Sequence, residues 1–276
     1  LFDDDAQTAA RLLGLTLTSR DKTIPMAGFP HHQLENYLHK LLQAGLRVAV
    51  CDQVEDAAQA KGLVRREVTR VVTPGTITED DLLDPRANNH LLALVPGAPA
   101  GLAWLELPTG QFAAADVHSQ RLADELGRLA PAEVVCAERQ AELVRACLHG
   151  LPRPPALTER PDWTFEAPTA RQTLHQHFAV STLAGHGFDD AQPCLTAAGG
   201  LLRYAQEMLK ADLRHVRQLR AYRGQHILHL DEVTRRSLEL TRTLRDGQRQ
   251  GSLLAALDRT TTGMGARLLH DWLLAP

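Results

Sequence analysis

A chain of 276 residues with 44% hydrophobic and 23% charged composition is an ordinary soluble globular sequence, long enough for about two domains with their own cores. Its formal charge of −3 excludes a protein that coats nucleic acid by bulk electrostatics, so any DNA contact must come from local basic patches. Four scattered cysteines (Cys51, Cys136, Cys147, Cys194) suit a reducing cytoplasm better than disulfides or zinc, and no apolar run is long enough to span a membrane.

Asp3-Asp4-Asp5 supplies an N-cap and acidic first-turn charge for a short helix from Ala6 to Leu13. Leu15 to Thr18 alternates like a strand, and Arg20-Asp21-Lys22 is a turn. Thr23 to His32 then carries two prolines and a glycine among apolar residues. Pro25 and Pro30 push Ile24 and Phe29 toward extended backbone, and Gly28 is read as a turn that a Cβ would obstruct. Leu34, Tyr37, Leu38, Leu41 and Leu42 recur at helical spacing until Gly45. This rigid entry to a helix is either core architecture or a wall held against a flat ligand.

Strands are expected over 46–54 and 64–72. In the second, strict alternation puts Arg66 and Arg70 on the face of Val64, Val68 and Val72, with Arg65 opposite. Thr73-Pro74-Gly75-Thr76 is a turn signal, and Glu79-Asp80-Asp81 reads as a solvated linker. Strands at 91–95, 101–107 and 111–117 make a meander. Helices near 120–129 and 138–148 flank a strand at 133–136, and helices follow near 171–178 and 195–209. His226 to Leu230 is extended. Leucines at helical spacing after Asp231 predict helices whose partners lie elsewhere. The chain starts without Met and stops at Pro276 within a helical pattern, so a fragment is expected.

Several strings together resemble the bacterial MutS family of DNA mismatch repair proteins. They are Ile24-Pro25-Met26-Ala27-Gly28-Phe29-Pro30, Glu35-Asn36-Tyr37, Val71-Val72-Thr73-Pro74-Gly75-Thr76, Ala197-Ala198-Gly199, Thr234-Arg235-Arg236-Ser237-Leu238-Glu239 and Gly263-Met264-Gly265-Ala266-Arg267-Leu268-Leu269. The resemblance implies a small mixed-sheet α/β mismatch-binding domain (1–75), a ribonuclease-H-like α/β connector (76–222) and the beginning of an all-α core domain (223–276).

The same resemblance implies contact with mismatched double-stranded DNA through Met26 and Arg66 in the groove. Arg20 and Lys22 are expected at phosphates, and Arg65 and Arg70, with Lys61, complete the basic cluster. The family's Phe-x-Glu reading motif would stand just before Leu1, so Phe2 is not the wedge. Stacking of one aromatic on a base is worth about 1–3 kcal/mol, so weak, salt-sensitive binding is expected without it. The family's connector docks MutL, and the matching segment here holds Gln172 and Thr173. Full-length members are homodimeric, cytoplasmic, nucleoid-associated ATPases that use ATP and Mg. No Gly-x-x-x-x-Gly-Lys-Ser/Thr loop occurs in this sequence, so neither cofactor nor catalysis is expected of it.

Two alternatives are of another class. A metal-dependent ribonuclease-H-like nuclease would use Glu106, with Asp116 as the nearest second carboxylate. The other is a protein-docking fragment without DNA binding; separately, Arg203, Lys210, Arg214, Arg217, Arg220 and Arg223 fall mostly near one helical stripe, either a solvated face or a contact for an acidic partner surface. The thirteen histidines include His31-His32, His175-x-His177 and His226-x-x-His229, which read as ordinary polar or core histidines rather than zinc ligands.

Overall fold

The computed structural model describes residues 1–20, 23–55, 64–78, 82–189, 191–223 and 228–276, with Arg20 by its backbone alone. Helix α1 (Asp3–Leu13) holds all three aspartates in its first turn, where their charge opposes the positive end of the helix. They do not cap it: the N-cap position is Phe2, with no side-chain cap. Gly14 closes the helix at φ 69°. Strands β1 (Thr18–Arg20) and β2 (Ile24–Met26) form an antiparallel pair, so the first strand begins where the sequence pattern placed its end. Helix α2 (Leu34–Gln43) buries Leu38, Leu41 and Leu42. A Cβ on Gly28 would meet nothing within 4 Å, and Gly28 is not among the glycines with positive φ, so the steric reason expected for it does not hold.

Strands β3 (Val48–Gln53) and β4 (Arg66–Val72) form a second antiparallel pair. Val48, Val50 and Val72 pack with Leu38, Leu42, Ile77 and Leu82. Val50 pairs with Arg70, but its neighbour Cys51 pairs with Val68, leaving Thr69 as an extra residue. That bulge reverses the alternation. By register Arg70 lies on the α2 side with Val50, whereas Arg66 and Val68 lie on the opposite side with Gln53 and Cys51. The expectation that Arg66 and Arg70 share a face is therefore corrected: Arg65 falls on the side of Arg70.

The centre of the molecule is a six-stranded mixed sheet. Strands β5 (His90–Val95), β6 (Ala100–Glu106) and β7 (Gln111–Val117) make the expected antiparallel meander. Helix α3 (Ser119–Leu129) leads to β8 (Glu133–Ala137), which runs parallel to β5. Helix α4 (Ala141–Leu148) leads to β9 (Ala156–Arg160), parallel to β8. Helices α5 (Ala167–Phe178) and α6 (Pro193–Leu209) precede β10 (Leu219–Ala221), parallel to β7. The strand order is β10-β7-β6-β5-β8-β9. β9 and β10 have no clear sequence pattern, the first following directly on the Pro152–Pro155 loop and the second being only three residues long.

Alternation along the strands builds both layers. Leu91, Ala93, Ala103 and Leu105 face α5 and α6, while Leu92, Leu94 and Leu102 face Leu122, Leu126 and Val144 of α3 and α4. Close packing of α5 on α6 depends on Gly199, which meets the Ala170 backbone, and Gly200 lets the Phe165 ring of the turn before α5 approach to where a Cβ would lie 2.5 Å away. The basic row does not form one stripe. α6 ends at Leu209, Lys210 is its left-handed cap, Arg214 and Arg217 lie in irregular backbone and Arg220 lies in β10.

The carboxy-terminal segment holds α7 (Glu232–Ser237), α8 (Leu253–Leu257) and α9 (Gly263–Leu274), capped by Asp231, Ser252 and Thr262. α7 is tied to α3: Arg235 donates to the Asp124 carbonyl, and the Asp124 carboxylate accepts the Glu232 N–H at 2.9 Å. The end of the segment clasps the stretch before β5. Arg86 pairs with Asp258 at 2.9 Å, Asn88 donates to Asp271 at 2.8 Å, and Arg267 donates to the Pro85 carbonyl at 3.1 Å. Much of its apolar surface is uncovered, including Leu238, Leu244, Leu257, Leu268 and Trp272. Of the expected extended stretch, His226 and Ile227 lie outside the described residues.

Candidate nucleic-acid interface

Met26 ends β2, half-buried, opposite Thr18, whose hydroxyl donates to the Met26 carbonyl at 3.2 Å. Phe2 bridges the other side of Met26, and the Ala27 N–H donates to the Leu1 carbonyl at 3.2 Å. Beyond it, Phe29 stacks on Tyr37 of α2 with ring centroids 4.4 Å apart. The proline-framed segment is thus a strand end fixed between the chain start and α2. Its rigidity comes from pairing on two sides as well as from the prolines.

The expected basic residues are spread over two strand pairs that share no hydrogen-bonded ladder. Arg20 ends β1 opposite Ile24, while Arg65, Arg66 and Arg70 lie at or on β4. Arg66 is exposed on the face away from α2. Arg65 is exposed too, but its guanidinium pairs with Glu67 and its N–H donates to Glu55 at 2.6 Å. Arg70 is half-buried beside the core of that pair. Lys22 and Lys61 lie outside the described residues.

On α5, Gln172 is exposed, whereas the Thr173 hydroxyl turns back to donate to the Thr169 carbonyl at 3.0 Å. Only Gln172 of that pair offers its side chain outward. The carboxylates of the nuclease alternative are not brought together. Glu106 pairs with Gln111 and Asp116 with Gly101, at opposite ends of the β6–β7 ladder, about 16 Å apart at the usual rise per residue. Glu106 is buried, takes a 2.5 Å hydrogen bond from Thr109 and faces Arg267 at 3.8 Å. Asp116 accepts the Cys194 N–H at 2.8 Å. Both carboxylates are engaged by neighbouring groups of the fold.

Several histidines tie separate segments together. His177, His186 and His215 hydrogen-bond through ring nitrogens to the carbonyls of Val216, Leu219 and Leu107. His90 bonds the Leu129 carbonyl at 2.8 Å, and burial lowers its pKa below the usual imidazole range.

The most consequential polar group was missed. Glu133, the first residue of β8, is fully buried and accepts from Thr73, Gly75, Thr158 and Tyr204. Burial, and the Glu133 carboxylate beside it, push the Tyr204 phenol well above its ordinary pKa. The one local signal was a glutamate opening an otherwise apolar strand, Glu133-Val134-Val135-Cys136.

Comparison with known proteins divides the chain in order. The family models for MutS domain I, MutS domain II and MutS domain III match residues 1–81, 89–217 and 233–276. Similar relatives are the DNA mismatch repair protein MutS of Rhodopirellula baltica, 46% identical over 305 aligned residues, and those of Thermosynechococcus vestitus and Symbiobacterium thermophilum, at 44% and 43%. Each alignment takes in the whole of this chain and 33% of the relative, so the chain spans about a third of their length.

Proposed function

The chain belongs to the MutS family of DNA mismatch repair proteins, and from that premise we propose that its amino-terminal region takes part in recognising mispaired or looped-out bases in kinked duplex DNA, while the central region relays to MutL. The working division is 1–75 for recognition, 76–222 for the connector and 223–276 for the start of the helical core. Its work is binding and relay rather than catalysis.

The observation that carries this reading is the uncovered face of β3–β4. Ala49, Cys51, Gln53, Arg66 and Val68 are exposed there, in a region similar to MutS domain I, while α2 occupies the other face. A mismatch stacks poorly and bends at lower cost than a paired step, so a surface that engages a deformed groove selects errors without reading sequence. Met26 and Arg66 are the groove-facing residues in this proposal. Arg20 and Lys22 supply the phosphate side, and Arg65 and Arg70 belong to the same basic region.

Fluorescence anisotropy with a G·T duplex and its paired counterpart, at low and physiological salt, tests it. Weak, salt-dependent binding is expected, and Arg66→Glu should weaken it and lower the salt slope by about one for each phosphate no longer neutralised. Arg65→Glu should cost less, because Arg65 is already paired with Glu67. Affinity untouched by both reversals would favour a docking role without DNA. For the relay, Gln172→Ala is expected to weaken MutL binding in a calorimetric titration while Thr173→Ala leaves it unchanged. Equal affinity for Gln172→Ala and wild type would remove α5 from the MutL contact.

A further inference from the structure

Glu133 divides its carboxylate between two regions. Oε2 accepts from the Thr73 hydroxyl and from the Gly75 N–H at 3.0 Å. Oε1 accepts from the Thr158 hydroxyl at 2.7 Å and the Tyr204 hydroxyl at 2.6 Å. The first two donors lie in the turn that leaves β4, and the other two lie in β9 and α6. Four neutral donors fill the acceptor sites of one carboxylate, which allows it to stand fully buried.

The turn is built to reach this group. The Thr73 and Thr76 hydroxyls hydrogen-bond each other at 2.8 Å, and Thr76 also accepts the Thr73 N–H at 2.9 Å. Gly75 sits so close that a Cβ would lie 2.6 Å from Leu91 Cδ1 and 2.8 Å from Glu133 Cβ. Asn89 donates to the Pro74 carbonyl at 3.1 Å, and Lys210 at the end of α6 donates to the Val68 carbonyl of β4. A side chain needed only to fill the sheet would be apolar, since a buried charge gives little stability over a well-packed hydrophobic residue. Half of this carboxylate's hydrogen bonds come from the turn that leaves β4, outside the sheet and the helices packed on it.

We propose that Glu133 is a positioning residue whose two oxygens fix the direction in which the β3–β4 unit leaves the central sheet, so that a tilt of the amino-terminal region is transmitted to β8, β9 and α6. Without such a grip, relative motion of neighbouring units is the default. The inference is independent of what the amino-terminal region binds.

Spin-label distance measurement on the 276-residue chain tests it. One label goes on the exposed Cys51 and the other on Leu143→Cys, an exposed position of α4, in a Cys147→Ser background. Cys136 and Cys194 stay unlabelled: both are buried, and burial pushes their thiols up, Cys136 to about 11. The parent distance distribution is expected to be narrow. Thr73→Val and Gly75→Ala, which release the Oε2 side, are expected to broaden it about twofold or more while the thermal transition of the central region is kept. Glu133→Gln by itself should keep the distribution narrow, because its amide nitrogen can donate to the Thr158 and Tyr204 oxygens while its oxygen still accepts from the turn. Thr158→Val, on the Oε1 side, should lower the transition temperature with the width kept. An unchanged width in both turn variants, or broadening only where the central transition is lost, overturns the proposal.

Discussion

The central sheet and the carboxy-terminal segment are both rich in leucine at regular spacing, yet they treat it in opposite ways. Leu91, Leu92, Leu94 and Leu105 of the sheet are 0% exposed, whereas Leu238, Leu257 and Leu268 of the segment are 56%, 49% and 48% exposed and Trp272 is 62%. The difference is not in the periodicity. Strands β5 and β6 are covered on both faces by helices from their own region, so alternate leucines find two separate cores. Helices α7 to α9 are held mainly by polar groups: caps, the Arg235–Asp124 link and the Arg86–Asp258 clasp. An apolar repeat marks the face that must be covered. It does not supply the cover.

Truncation gives the largest contrast. Leu105→Ala is expected to destabilise the central region by about 2–5 kcal/mol through reduced transfer energy and the cavity left behind. Leu268→Ala should stay within about 0.5 kcal/mol, as for a surface change. Urea unfolding followed by near-ultraviolet circular dichroism compares the two, and similar costs would mean that α9 packs far more tightly than its exposure indicates.

Acid separates the regions by a smaller effect. The lowered pKa of His90 means that its contribution is fully present above its unfolded pKa near 6.5 and is lost as pH falls through the lower folded value. Asp258 is held at about 2, first by hydrogen bonds from Thr260 and then by Arg86 and Arg249. Its depressed pKa gives stability that is complete above the unfolded value near 4 and fades as pH drops toward 2. Hydrogen exchange should therefore see the central sheet loosen first below pH 6.5, with the Arg86 clasp giving way only below about pH 4. Loss of the clasp by pH 5 would contradict this order.

The smallest effect is expected from changing the exposed leucines without removing bulk. Leu257→Gln with Leu268→Gln should leave the unfolding midpoint of the central region unchanged and reduce binding of an apolar dye such as bis-ANS. Unchanged dye binding would place the open surface elsewhere.

Much of the architecture was legible because it is local. The meander of β5 to β7, the helices α2, α3 and α6, and the start of a helix after Asp231 all follow from spacings of two to four residues and from turn residues between them. The strings shared with the MutS family identified the chain from end to end. β9 and β10 were less legible because a parallel strand is defined by a distant partner.

The candidate site was legible in its residues and not in its geometry. The sequence by itself determined that a basic strand follows a proline-framed segment, and that a Thr-Pro-Gly-Thr turn ends that strand. Only the tertiary structure decided that one extra residue, Thr69, sends Arg66 to the open face and Arg70 to the packed one. Only the tertiary structure joined Thr73, Glu133, Thr158 and Tyr204 in one buried group. The reason is physical: alternation is a property of neighbours along the chain. A bulge is set by pairing with another strand, and a buried carboxylate is satisfied by whichever distant donors the fold brings within hydrogen-bonding reach.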